Sequence, residues 1–188
     1  MKIIKKLCPN FSSREGYKPE IIVIHISTNT LASMISWFNT PSSQASAHYG
    51  IGKDGTILQY VEESNKAWTQ GNVKNPTAKI IKERIGINPN LFCLSIENEG
   101  QDLQYAPEIQ LQTLCDLIKD IASRWNIKIS RNTVIGHWEI DSKNRNYCPS
   151  PNHLFMDKLV ARLQPDEMVN IQVPKSRLQR ILDFLMKI

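Results

Sequence analysis

A chain of 188 residues with 41% apolar and 22% charged side chains has the composition of a folded domain, not of a disordered segment. Its net charge of +5 and pI near 9 favour an anionic partner, whether nucleic acid, anionic lipid or an acidic wall polymer, without choosing among them. No apolar run approaches a membrane span. The four cysteines, Cys8, Cys93, Cys115 and Cys148, form no CxxC pair, which argues against a disulfide framework, and all four are read as reduced.

Residues 1–19 read as a polar lead-in with turn formers and no signal-peptide core, so synthesis in the cytosol is expected. Ile21 to Ile24 is a β-branched run, the mark of a strand covered on both faces. His25 follows where ligands gather in α/β sheets, at a strand's C-terminal end, and a satisfied core histidine is the alternative. Leu31 to Asn39 has helical spacing, with Leu31, Ile35 and Phe38 on one face and Met34 beside them. Asp54-Gly55 makes a tight turn between two strands, 46–51 and 56–61, and places His48 and Tyr49 on the first. A short element carrying Ala67-Trp68 ends at Gly71.

Residues 72–90 are polar and basic, expected as a surface loop with one helical turn. Leu91 to Asn98 returns to strand and ends in Glu97-Asn98-Glu99, where alternation points both carboxylates the same way. A buried charge there must be paired or employed, and a solvated strand end is the plain alternative. Pro107 to Trp125 is the clearest helix, with Pro107 in the first turn and an apolar stripe of Ile109, Leu111, Leu114, Leu117, Ile118, Ile121 and Trp125.

The segment Thr133 to Pro151 organises the chain. A short apolar strand turns at Gly136, then presents His137 and, eleven residues on, Cys148. Both are ligand types that zinc takes, and a catalytic zinc needs three protein ligands with a fourth position open. The third ligand should end another buried strand, which His25 does. A helix over 153–163 closes a domain of residues 1–165. Residues 166–188 hold a basic amphipathic helix, with Leu178, Ile181, Leu182, Leu185 and Met186 on one face, which docks on its own domain or on a membrane surface.

These pieces, in this order, resemble the zinc-dependent N-acetylmuramoyl-L-alanine amidases of type 2. The residues carrying the resemblance are Ile22-Val23-Ile24-His25, Ser46-Ala47-His48-Tyr49, Lys53-Asp54-Gly55-Thr56-Ile57, Ala67-Trp68, Ser95-Ile96-Glu97-Asn98-Glu99-Gly100, Ile135-Gly136-His137-Trp138-Glu139-Ile140 and Cys148-Pro149, over roughly residues 20–163. The resemblance implies an α/β fold, a central mixed sheet flanked by helices, with zinc in a groove at the strand ends. It implies Zn2+ on His25, His137 and Cys148, Glu97 as general base, and His48, Tyr49, Trp68 and Glu99 along the substrate. The bond implied is the amide between N-acetylmuramic acid and L-alanine of peptidoglycan, with no role for nucleic acid. The loop before Cys148 looks most like phage and prophage members, which implies an endolysin acting on the wall after release from the cytoplasm.

The departures carry information. Ile26 stands where many members have a second His or a Cys, and Ala47 where some phage members have a catalytic Tyr, which puts more weight on Glu97. Asn146 replaces a Lys that stabilises the oxyanion, so Arg145 is the expected substitute and Lys143 its competitor. Two other readings remain: a cytosolic enzyme recycling soluble muropeptides, for which Asp is the usual third ligand, and a non-catalytic peptidoglycan-binding module, which typically loses a ligand.

Overall fold

A computed structural model of the chain describes residues 1–164. Its centre is strand β3, Ile21–Ser27, paired in parallel with β7, Cys93–Glu99, on one side and with β8, Val134–Gly136, on the other. Strand β4, Tyr49–Ile51, adds to β7 in parallel, then turns through the Asp54-Gly55 hairpin into antiparallel β5, Ile57–Gln59. Strand β1, Ile3–Lys5, closes the far edge parallel to β5 and gives the order β1-β5-β4-β7-β3-β8. The sheet is therefore mixed, as expected.

The lead-in is not merely polar. Besides β1, it supplies β2, Phe11–Ser13, which pairs antiparallel with β6, Asn65–Ala67. Three-residue strands carry too little pattern to be seen alone; their partners define them. Arg14, just after β2, is buried and donates to the carbonyls of Glu63, Asn90, Leu91 and Cys93.

Alternation along β3 and β7 sorts side chains between two layers. Ile22, Ile24, Leu94 and Ile96 face α3, Glu108–Trp125, and α4, Leu154–Leu163. Ile21, Val23 and Cys93 face the other way, onto Ile81 of the short helix α2, Lys79–Lys82, and onto Leu91 and Ile135. A third cluster packs Met34 and Phe38 of α1, Leu31–Phe38, against Tyr60 and Leu58. The stripe of α3 is buried at Leu114, Leu117, Ile118 and Ile121, half-buried at Leu111 and Trp125, and 55% exposed at Ile109 in the first turn. The expected basic helix at 166–188 lies outside the described residues. Among those described, no helix is long and apolar enough to cross a membrane.

Candidate metal centre

The row that begins with buried Ile21 and Val23 continues to His25, and the register sets His25 directly opposite Glu97. Strand β8 ends one pair short of them, so His137 begins the next turn at the same sheet end. The loop from Asp141 returns Cys148 to that point, with the Cys148–Pro149 peptide in the cis form. Two stretches far apart in sequence thus converge: side-chain atoms of His25, His137 and Cys148 able to ligate a metal all lie within 4.8 Å of one another.

The residues present fit a zinc ion. The Nδ1 atoms of His25 and His137 are 3.0 Å apart, whereas two nitrogens each about 2.05 Å from a tetrahedral zinc lie about 3.3 Å apart. His137 Nε2 is 3.2 Å from the Gln70 carbonyl; donating there fixes the tautomer and turns the Nδ1 lone pair into the site. Burial drives the His25 imidazole well below its usual pKa, reinforced by His137 and Arg145. Burial likewise takes His137 down to about 4, so both rings are neutral, as ligands must be. Cys148 Sγ accepts from the Ile26 N–H at 3.4 Å. Burial and the nearby Glu97 push its thiol up to about 12 in the absence of a cation, and a coordinated cation reverses that order.

Glu97 Oε1 stands 3.9 Å from His25 Nδ1. Burial raises its pKa to about 7, and Arg145 pulls it back down. Arg145 is carried by the same loop as Cys148, whose N–H donates to the Arg145 carbonyl at 2.9 Å. Trp138 stacks on His153 at 3.9 Å between ring centroids, and His153 Nε2 lies 2.8 Å from the Asn146 carbonyl, which braces this loop from below. Gly136 is needed here: a Cβ would stand 2.9 Å from Pro149 Cδ and from the Trp138 ring.

A groove of about 330 Å³ opens from the cluster towards α1, lined by His25, His137, Cys148, Glu97, Arg145 and Trp68. Lys143 does not line it. Nor do His48, Tyr49 and Glu99. His48 precedes β4 and faces away from Tyr49; it contacts Arg14 at 2.8 Å and Ser95 Oγ at 3.0 Å in the interior. Tyr49 donates to Glu63 at 2.8 Å. Glu99 extends past the groove, and its Oε2 accepts from the Leu31 N–H at 3.4 Å.

The groove also holds Trp37, which the sequence does not single out, and Thr69, which follows Trp68 where family members have a His. Thr69 Oγ1 donates to the Ser46 carbonyl at 2.6 Å and meets Ser95 Oγ at 2.8 Å, which links the groove to His48. For Trp37 the available signal was an aromatic residue off the apolar stripe of its own helix.

Fold and site define an α/β protein with a buried two-histidine, one-cysteine pocket of metal-ligating type at the ends of parallel strands. The sequence then places it among known proteins. Residues 15–151 match the profile of the N-acetylmuramoyl-L-alanine amidase family, type 2, and the chain belongs to that family.

It is 46% identical over 93 residues to N-acetylmuramoyl-L-alanine amidase A of Achromobacter lyticus, covering 49% of this chain and 43% of that protein. It is 31% identical over 102 residues to the 1,6-anhydro-N-acetylmuramyl-L-alanine amidase AmpD of Haemophilus influenzae, covering 54% of this chain and 50% of that protein. The chain thus spans half or less of the length of these curated relatives. Among solved structures, a selenomethionine AmpD derivative superposes with a TM-score of 0.67 at 22% identity, covering 86% of this chain and 93% of that one. A mutant endolysin from Bacillus subtilis superposes at 0.62 with 20% identity, covering 87% and 99%. At these identities the structural likeness establishes the fold alone.

Proposed function

We propose that this protein is a zinc-dependent amidase that cleaves the bond between N-acetylmuramic acid and L-alanine in peptidoglycan. The observation that carries the reading is the convergence of His25, His137 and Cys148 beside Glu97, in a groove that Arg145 also lines. The two curated relatives, both named as amidases of muramyl-L-alanine compounds, support the same bond.

When bound by His25, His137 and Cys148, zinc supplies Lewis acidity that polarises the scissile carbonyl and eases deprotonation of the attacking water. Glu97 takes that proton on its carboxylate and returns it to the leaving amine of L-alanine. The Arg145 guanidinium faces the negative charge that develops on the carbonyl oxygen. His137 is held in its ligating tautomer by the Gln70 carbonyl. The reaction consumes one water and leaves a lactyl carboxylate and a peptide amine.

The net charge of +5 supports action on an anionic wall, in the manner of an endolysin. The relative named for anhydromuramyl compounds favours a second reading, in which soluble muropeptides are the substrate. Digests of purified sacculi and of soluble muropeptides, with and without chelator, test both. New L-alanine amino termini without new sugar reducing ends, lost on chelation, are expected. Amine release confined to soluble muropeptides selects the second reading, and reducing ends without amines overturn both.

A further inference from the structure

Of the four tryptophans, Trp68, Trp125 and Trp138 are half-buried, and Trp37 is 54% exposed. Trp68 and Trp125 also spend their indole N–H groups inside the protein, on Ser12 Oγ and Glu63. Among the described residues, Trp37 is the one large exposed apolar side chain that lines the groove. Scattered surface apolar groups need no explanation, but a large aromatic residue at the wall of a concave site is of another kind.

The groove is chemically divided. Its charged and ligating groups, His25, His137, Cys148, Glu97 and Arg145, belong to the strand-end cluster. The α1 side offers Met34, Trp37 and Phe38, edged by the uncharged Ser27 and Asn29. A substrate cut at a muramyl amide is divided in the same way. One side is a neutral pyranose with apolar C–H faces and an acetamido group; the other is a peptide carrying carboxylates. The charged strand-end side suits the polar amide and peptide. An indole face, electron-rich at its centre, suits polarised C–H groups, and the Trp37 N–H, which has no partner among the described residues, suits a hydroxyl or acetamido oxygen.

We propose that Trp37 is the platform on which the groove receives the face of a neutral N-acetylated sugar ring, so that the peptide leaves on the Arg145 side. The assignment rests on the amidase reading above. It makes Trp37 a binding residue that selects glycan-bearing over glycan-free substrates.

Two measurements test it. The zinc-loaded enzyme is assayed on N-acetylmuramoyl-L-alanyl-D-isoglutamine and on the sugar-free N-lactyl-L-alanyl-D-isoglutamine. Trp37→Ala is expected to lower kcat/KM about tenfold on the first, equivalent to about 1.4 kcal/mol, chiefly through KM. It leaves the second nearly unchanged, and Trp37→Phe recovers most of the loss. Equal losses on both substrates, or none on either, overturn the assignment.

The second measurement is independent of catalysis. N-acetylmuramic acid is titrated into the ¹⁵N-labelled protein while the Trp37 indole resonance, assigned by its absence from Trp37→Phe, is followed. A saturable shift, with weaker binding in Trp37→Ala, supports the platform, and no shift overturns it. If neither substrate is cleaved, the amidase reading fails and the titration still decides this one.

Discussion

At the scale of single residues, the site is built from groups that burial has made neutral and one that burial has made basic. Two neutral imidazoles and a thiol provide a donor set, and beside them Glu97 carries a pKa raised to about 7. A carboxylate so placed is a stronger proton acceptor than one in water. Replacing it isosterically separates chemistry from structure. Glu97→Gln is expected to lower kcat by about 10²–10⁴-fold, the usual range for loss of a general base, while zinc affinity stays within about threefold. Steady-state kinetics and a chelator competition measure the two. Equal loss of both would recast Glu97 as a support for the ligands. Arg145→Ala should lower kcat by about 10²-fold with little change in KM, as removal of an oxyanion donor does, and Arg145→Lys should restore part of it.

At the scale of elements, the strands that carry the site were legible in the sequence and those at the margins were not. Ile21–Ile24 and Leu91–Asn98 announced themselves as apolar runs, and the observed β3 and β7 contain most of each. Strands β1 and β2 were missed because Ile3–Lys5 and Phe11–Ser13 acquire strand character only from Ile57–Gln59 and Asn65–Ala67. The proposed ligand set could be read in part from residue type and position at strand ends: His25 and His137 are 112 residues apart, and the buried run before His25, together with the family resemblance, paired them. Nothing in the local sequence around His48 showed that it would turn inward to Arg14, since that depends on a partner 34 residues away.

One element has a sharp steric demand. At Gly136 the chain passes so close to Pro149 and Trp138 that any Cβ forces one of them to move. Gly136→Ala is expected to destabilise by about 1–3 kcal/mol, the range for overpacking, and to weaken zinc binding because His137 is the next residue. Urea unfolding and the same competition titration check this; an unchanged midpoint would mean that the turn yields freely.

At the scale of the whole molecule, one polar network runs through the interior, from Arg14 through His48 and Ser95 to Thr69 in the groove. Its histidine makes stability depend on pH. Burial, with the Arg14 charge second, lowers His48 to about 3. The unfolded chain takes up a proton below about pH 6.5 that the folded chain refuses. Stability from this group is therefore complete above pH 6.5 and is lost as pH falls towards 3. The cost reaches about 2 kcal/mol at pH 5, from about 1.4 kcal/mol per pH unit. His48→Gln should cut the difference in unfolding free energy between pH 7.5 and pH 5.0 by about that amount. An unchanged difference would show that the proton enters the folded state.

The central claim is that His25, His137 and Cys148 form one metal site on which activity depends. It is tested most directly by titrating the metal-free protein with zinc against a chromophoric chelator, while amine release from muropeptides is followed in the same samples. The account predicts one equivalent bound, activity rising in proportion to occupancy, and both weakened together in Cys148→Ser. Uptake unaffected by Cys148→Ser, or full activity in the metal-free protein, would contradict it.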